Sequence, residues 1–227
     1  MENLELIDRL RREPRYTLGE AARLTEVHPS TLRAWLAGTV QRRAVLTREF
    51  SSDLRLSFLD LCEVVVVRGF REGRDGVARL PLERLRRAHA FASERLRIEH
   101  PFASQHLFTD GVNILHDFEG ENPGPGRLVL DLDGQFALPF SVGQLQAQFE
   151  FDLTLAQLAT RWFPAGRDGA IVVDPTRAAG MPIIVGRNLR VDFIAQRFKR
   201  GGESIESIAR DLDLEPVDVE AAIRFAA

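Results

Sequence analysis

The stretch from Thr17 to Leu36 constrains this chain more than any other. Thr17-Leu18-Gly19-Glu20 is a capping box, in which the Thr hydroxyl accepts a free backbone N–H and the Glu carboxylate reaches back to the N–H of the cap, so a helix starts there. Leu18, Ala21, Ala22 and Leu24 give that helix a narrow apolar face, and Thr25 to Val27 make a turn. Pro29, well suited to a first helical position, opens a second short helix with Leu32, Trp35 and Leu36 on its buried side. Two short helices joined by a tight turn, with Ala where they approach, predict a helix-turn-helix. Such a unit is too small to bury a core alone. Val45, Leu46, Phe50, Leu54 and Leu56, set among polar residues, predict a short strand pair of the winged type to complete it.

Further along, Ser57 and Asp60 form a second capping box ahead of Leu59, Leu61 and Val64. The run Val64 to Val67 favours a strand on propensity, but Asp60, Glu63 and Arg71 share one helical face, which predicts a buried helix. Leu82, Leu85, His89, Ala92 and Leu96 recur at steps of three and four and predict a helix from Pro81 to about Ile98 with a short heptad-like seam. Gly120 to Gly126 reads as a loop, and Asp133-Gly134 as the two-residue turn of a hairpin. Ile171 to Pro175 predicts a short strand, and three helices follow over Val191 to Arg200, Ser204 to Leu212 and Pro216 to the end. The expected fold is mainly α with a small β element: an N-terminal, winged helix-turn-helix and a C-terminal three-helix domain. With 227 residues the domain count is open, and this punctuation gives four segments: 1–56 with the possible wing, 57–106 helical and available for dimerisation, 107–169 a small α+β linker region, and 170–227 the three-helix domain.

No apolar run approaches the roughly 18 residues of a membrane span, and the charged N-terminus lacks the apolar core of a signal peptide, which predicts a cytoplasmic protein with no membrane partner. Cys62 is the sole cysteine and reads as a small core residue. Catalytic signals are poor. The five histidines, His28, His89, His100, His106 and His116, show no metal-ligand spacing, the glycines match no nucleotide-binding loop, and Asp131 and Asp133 flank an ordinary turn. No catalytic residue, metal or cofactor is expected.

Net charge is −3, but its distribution is uneven. His28 to Arg48 contains no acidic residue, whereas Glu203, Glu206, Asp211, Asp213, Glu215, Asp218 and Glu220 face only Arg210 and Arg224 in the tail. A basic front and an acidic tail predict different partners for the two ends. Arg33, on the outer face of the second helix, can reach DNA phosphate or a guanine edge. Ser30 and Thr31 stand where hydroxyls and free amides suit phosphate, with Thr17 at the start of the first helix added to the set. Arg42, Arg43 and Arg48 would be wing contacts to phosphate or a plain solvated loop. In the tail, Glu215, Asp218 and Glu220 would repel phosphate, and such a surface suits a protein with a basic cleft, or simply a solvated face. Phe193, Arg197 and Phe198 form a stripe that is either core or partner contact.

Residues 16–38, YTLGEAARLTEVHPSTLRAWLAG, resemble the helix-turn-helix of MerR-type regulators, with Glu26 at a turn position where that family often has Gly. A positive φ would strain Glu26, which predicts a turn differing in detail. From Asp174 onward the tail resembles the bacterial "domain of unknown function 433" family, through Asp174-Pro175, Met181-Pro182-Ile183-Ile184-Val185-Gly186, Gly201 and Asp218-Val219-Glu220-Ala221-Ala222-Ile223. Joined by Leu56-Ser57-Phe58-Leu59-Asp60-Leu61, these ends resemble VapB-type antitoxins. That resemblance implies operator DNA and a PIN-like ribonuclease toxin as partners, in a homodimer or a toxin-antitoxin hetero-oligomer. A stand-alone MerR-like transcriptional regulator responding to a small ligand is the alternative.

Overall fold

The computed structural model describes residues 2–38, 44–46, 53–72, 79–124, 128–132, 135–138, 140–154 and 156–226. Its helices are α1 (Glu2–Arg12), α2 (Leu18–Leu24), α3 (Pro29–Ala37), α4 (Phe58–Glu72), α5 (Leu82–Leu96), α6 (Asp110–Glu121), α7 (Phe140–Gly143), α8 (Val191–Gly201), α9 (Ile205–Leu212) and α10 (Pro216–Phe225). The strands are β1 (Leu130–Leu132), β2 (Gln135–Ala137), β3 (Phe149–Phe151), β4 (Ala159–Trp162), β5 (Ile171–Val172) and β6 (Ile183–Ile184), joined as the pairs β1-β2, β3-β4 and β5-β6. The chain is mainly α with a small β element. Two compact units share it: residues 11–147 with 151–159, and residues 1–10 with 148–150 and 160–227.

In the unit of residues 11–147 and 151–159, α4 is the centre. Phe58, Leu61, Cys62, Val66, Phe70 and nearly every other residue along it are buried, so burial on all sides overrides the strand preference of Val64 to Val67. The helix starts as the sequence predicts: Asp60 Oδ2 accepts from Ser57 N at 2.7 Å and Ser57 Oγ at 2.8 Å, and Ser57 Oγ accepts from Asp60 N at 3.1 Å. The seam of α5 turns inward, with Leu85, Ala88, His89 and Ala92 buried and the His89 and Phe102 rings edge to face at 5.1 Å. The hairpin also forms, in the register Leu132↔Gln135 and Leu130↔Ala137. Helices α1 and α6 were not expected. In α6 the apolar spacing of Leu115 and Phe118 is interrupted by polar residues and by Gly111, which lies so close to the preceding turn that an added Cβ would meet the His106 carbonyl at 2.8 Å.

The wing expectation falls largely outside the described residues. Among those described, Leu56 makes a single antiparallel bridge to Tyr16, with Tyr16 N donating to Leu56 O at 3.0 Å and Leu56 N to Tyr16 O at 2.9 Å. Val45 N donates to Trp35 O at 2.7 Å, so the segment after α3 folds back onto it. Buried Arg11 donates to Asp152 at 2.5 Å and to Leu158 O at 3.3 Å.

In the unit of residues 1–10, 148–150 and 160–227, β5 and β6 pair as Ile171↔Ile184 and Val172↔Ile183. Ile171, Ile184, Val191, Ile194, Ile208, Ala209, Val219 and Ala222 form one core beneath α8, α9 and α10. Asp174 is buried, and it accepts from Thr176 N at 2.8 Å and from Arg161 Nε at 3.0 Å, a local turn that explains an Asp-Pro pair at this point. Gly186 takes φ +74 in the turn after β6, a conformation that a side chain would strain. The three helices fall where the sequence places them, with α8 running through Gly201 and ending on Gly202 at φ 64.

Two stability predictions follow from this packing. Leu32 of α3 is fully buried, so Leu32→Ala should cost about 2–5 kcal/mol in denaturant unfolding. For Asp152, burial raises the carboxyl pKa, but hydrogen bonds from Thr154 and Arg11 outweigh it and hold the group below its ordinary value. A carboxyl depressed in the folded state stabilises the fold above its unfolded pKa and loses that contribution as pH falls below about 4. Asp152→Asn should therefore destabilise by on the order of 2 kcal/mol at pH 7, Arg11 keeping only Leu158 O of these two partners. The gap to wild type should narrow as pH is lowered toward 3; a gap independent of pH would contradict the assignment.

Candidate functional site

The helix pair α2 and α3 carries the N-terminal candidates. Thr17 is the N-cap of α2, and its hydroxyl is engaged: Glu20 N donates to Thr17 Oγ1 at 3.3 Å, Thr17 Oγ1 donates to Glu20 Oε2 at 2.8 Å, and Thr17 N donates to the same carboxylate at 2.9 Å. At the start of α3 the cap is His28, whose Nδ1 accepts from Ser30 N at 3.3 Å and lies 2.8 Å from Ser30 Oγ. Ser30, Thr31 and Arg33 are exposed on this helix, and Arg33 makes no hydrogen bond or ion pair among the described residues. Trp35 is buried, as expected. Arg42, Arg43 and Arg48 lie outside the described residues. The sequence reading passed over Arg23, exposed in the last turn of α2 and likewise without a partner among the described residues. Its signal was the basic side chain on the face opposite Ala21, Ala22 and Leu24.

The turn between these helices corrects one expectation. Glu26 adopts the positive φ itself, at +51, rather than forcing a different turn. Left-handed backbone costs a side-chain-bearing residue about 1–2 kcal/mol. Arg68 of α4 offsets part of that, donating to Thr25 O at 3.0 Å and pairing with Glu26 at 2.7 Å and Glu72 at 3.0 Å. Thr25 Oγ1 also donates to Ala21 O at 2.7 Å, so the turn is held from both sides.

In the tail the candidates separate into two kinds. Arg197 is committed within its own unit, donating from Nε to Glu203 at 2.8 Å and from Nη1 to Asp211 at 2.5 Å, so it ties α8 to α9. Those hydrogen bonds, from Glu203 first and Asp211 second, raise the guanidinium pKa, and Arg197 in return lowers that of Glu203. Phe193 and Phe198 are exposed at 46% and 38%, so they are surface and not core. Glu215 and Glu220 are exposed and Asp218 is half-buried on α10, beside Val217 at 65% exposure.

A third cluster was not legible from residue spacing. Glu63, wholly buried on α4, accepts at Oε1 from His89 Nε2 at 2.9 Å and from Phe102 N at 3.1 Å. Asp60 lies one turn earlier on α4, and the buried His100 faces both carboxylates. Burial, and then the nearby Glu63 and Asp60 charges, push the Cys62 thiol well up, so it stays protonated and inert, in keeping with its reading as core.

Residues 171–226 match the family model described as "Protein of unknown function (DUF433)". The sequence is 29% identical over 241 residues, covering 92% of this chain and 92% of the relative, to a Mycobacterium tuberculosis protein described as "Putative antitoxin VapB45". The X-ray crystal structure of RV2018 from Mycobacterium tuberculosis superposes with a TM-score of 0.76 at 29% identity, covering 93% of this chain and 98% of that one. Among the described residues, no helix is long and apolar enough to cross a membrane. Along nearly its whole length the chain is thus similar in sequence to a protein described as an antitoxin, and in fold to RV2018.

Proposed function

We propose that this protein is an antitoxin-type regulator that binds operator DNA through α2 and α3 and holds a PIN-like ribonuclease toxin through its C-terminal helices, with no catalytic step of its own. The end-to-end likeness to a protein described as an antitoxin carries this reading. The helix pair supports it: exposed Arg33, Ser30 and Thr31 share α3, and a guanidinium and hydroxyls on one exposed helix are the chemistry that meets phosphate and base edges. In the tail, exposed Phe193 and Phe198 with the carboxylates of Glu215, Asp218 and Glu220 suit a partner with an apolar anchor site beside a basic, RNA-binding cleft. Two copies of the chain would set their α3 helices in successive major grooves, and the toxin would alter operator affinity by linkage.

The decisive experiment is co-purification with the product of the adjacent gene, followed by a ribonuclease assay of that partner alone and in complex. A stable complex with suppressed cleavage is expected, and the absence of any complex would sink the antitoxin reading. At fixed salt, Arg33→Ala should weaken binding to the protein's own promoter by about 10-fold or more. Because Arg33 is exposed, its removal should leave unfolding within about 0.5 kcal/mol of wild type. Unchanged promoter affinity would remove Arg33 from the interface. Replacing Phe193 and Phe198 together by Ser should loosen toxin capture by about 10-fold or more while operator binding persists; equal capture would move the partner surface elsewhere.

A further inference from the structure

His100 sits just before the 3-10 turn Pro101–Ala103, only 3% exposed, and its Nδ1 is fully buried without a hydrogen-bond partner. That nitrogen lies 3.6 Å from Glu63 Oε2 and 4.0 Å from Asp60 Oδ1. Both separations are too long for a hydrogen bond. They match two ligand atoms sharing one small cation, since bonds of about 2.1 Å place neighbouring donors about 3–4 Å apart. One donor atom from each of Asp60, Glu63 and His100 can be chosen so that all three lie within 4.8 Å of one another.

The surroundings orient each donor. Glu63 Oε1 is occupied by His89 Nε2 and Phe102 N, which turns Oε2 toward His100. Asp60 Oδ2 is occupied by Ser57 N and Oγ, which turns Oδ1 the same way. Glu99 Oε2 lies 3.9 Å from His100 Nε2, on the side where a proton on Nε2 would leave the Nδ1 lone pair facing the carboxylates. Two carboxylates at the centre of a buried helix are costly unless matched by positive charge. A divalent ion between Oδ1 of Asp60 and Oε2 of Glu63 would add positive charge beside both.

We propose that Asp60 Oδ1, Glu63 Oε2 and His100 Nδ1 form a binding site for one first-row divalent transition ion, of the class of Zn2+, Mn2+ or Fe2+, which fastens α4 to the turn at Pro101. One imidazole nitrogen with two carboxylate oxygens suits these ions better than Mg2+ or Ca2+, which take oxygen alone. The sequence reading expected no metal because Asp60 and Glu63 are one helical turn apart while His100 lies on a different element.

The test uses the full chain, purified without a polyhistidine tag, stripped with chelator and titrated with Co2+ and then Zn2+. One equivalent of Co2+ should bind and develop visible d–d absorption, and Zn2+ should displace it. At a hundredfold excess over Kd, Zn2+ should raise the thermal midpoint by roughly 5 °C or more. His100→Gln should abolish the absorption and the thermal shift, and His116→Gln, altered at an exposed position on α6, should retain both. If His100→Gln fails to fold, anomalous diffraction at the cobalt edge from wild-type crystals replaces it: a peak among the three side chains supports the site, and a peak elsewhere overturns it. Absence of saturable binding at about 1 mM Co2+ or Zn2+ would also overturn it.

Discussion

A helix enclosed on every face has nowhere to send its polar groups, and α4 carries two carboxylates inside that enclosure. Each must be met by donors or by charge, because an unmatched buried carboxylate costs several kcal/mol. Ser57 meets Asp60 from the helix start; His89 and the Phe102 amide meet Glu63 from α5 and the turn after it. The placement of two separate elements, α5 and the turn after it, therefore answers to one helix. Satisfying those carboxylates fixes α5 and the Pro101 turn against α4 in one register, something apolar packing alone would leave degenerate.

From the same helix, Arg68 reaches the α2–α3 turn, and the Tyr16–Leu56 bridge anchors the chain entering α2 to the residue just before Ser57. The helix pair is thus mounted on the buried centre from two directions, while exposed Thr31 and Arg33 on α3 make no side-chain hydrogen bond or ion pair among the described residues. That division, rigid support beneath and uncommitted Arg33 and Thr31 above, suits the proposed role of α3. The C-terminal helices show the same economy in another form. Arg197 is spent on internal cohesion, and the exposed aromatics beside it are not.

Much of this was legible in the sequence where the signal is local. Thr17-Glu20 and Ser57-Asp60 are reciprocal caps within four residues, β1 and β2 pair as the hairpin that the sequence predicts, and the tail repeats an apolar face over short helices. Val64 to Val67 shows where propensity and burial disagree and burial prevails. Helix α6 stayed hidden because two glycines and Asn113 dilute its pattern, and α1 because its apolar face is thin. The cluster of Asp60, Glu63, His89 and His100 could not be seen at all, since its geometry arises from tertiary packing between elements rather than from spacing along one. Glu26 was readable as a conflict, but not its resolution, which depends on an arginine from another helix.

The ion pair between Arg11 and Asp152 spans 141 residues of sequence, and the Tyr16–Leu56 bridge joins residues 40 apart. By contrast, β5, β6, α8, α9 and α10 follow one another along the chain and share a single core. Because loop closure slows the formation of distant contacts, the C-terminal helices should assemble early and the unit around α4 late. During synthesis the order is reversed by delivery: most of the late-forming unit leaves the ribosome first, yet it cannot close until Asp152 has emerged. A nascent chain would therefore carry an incomplete N-terminal unit through most of its elongation, a window in which a chaperone or protease meets it before any partner does.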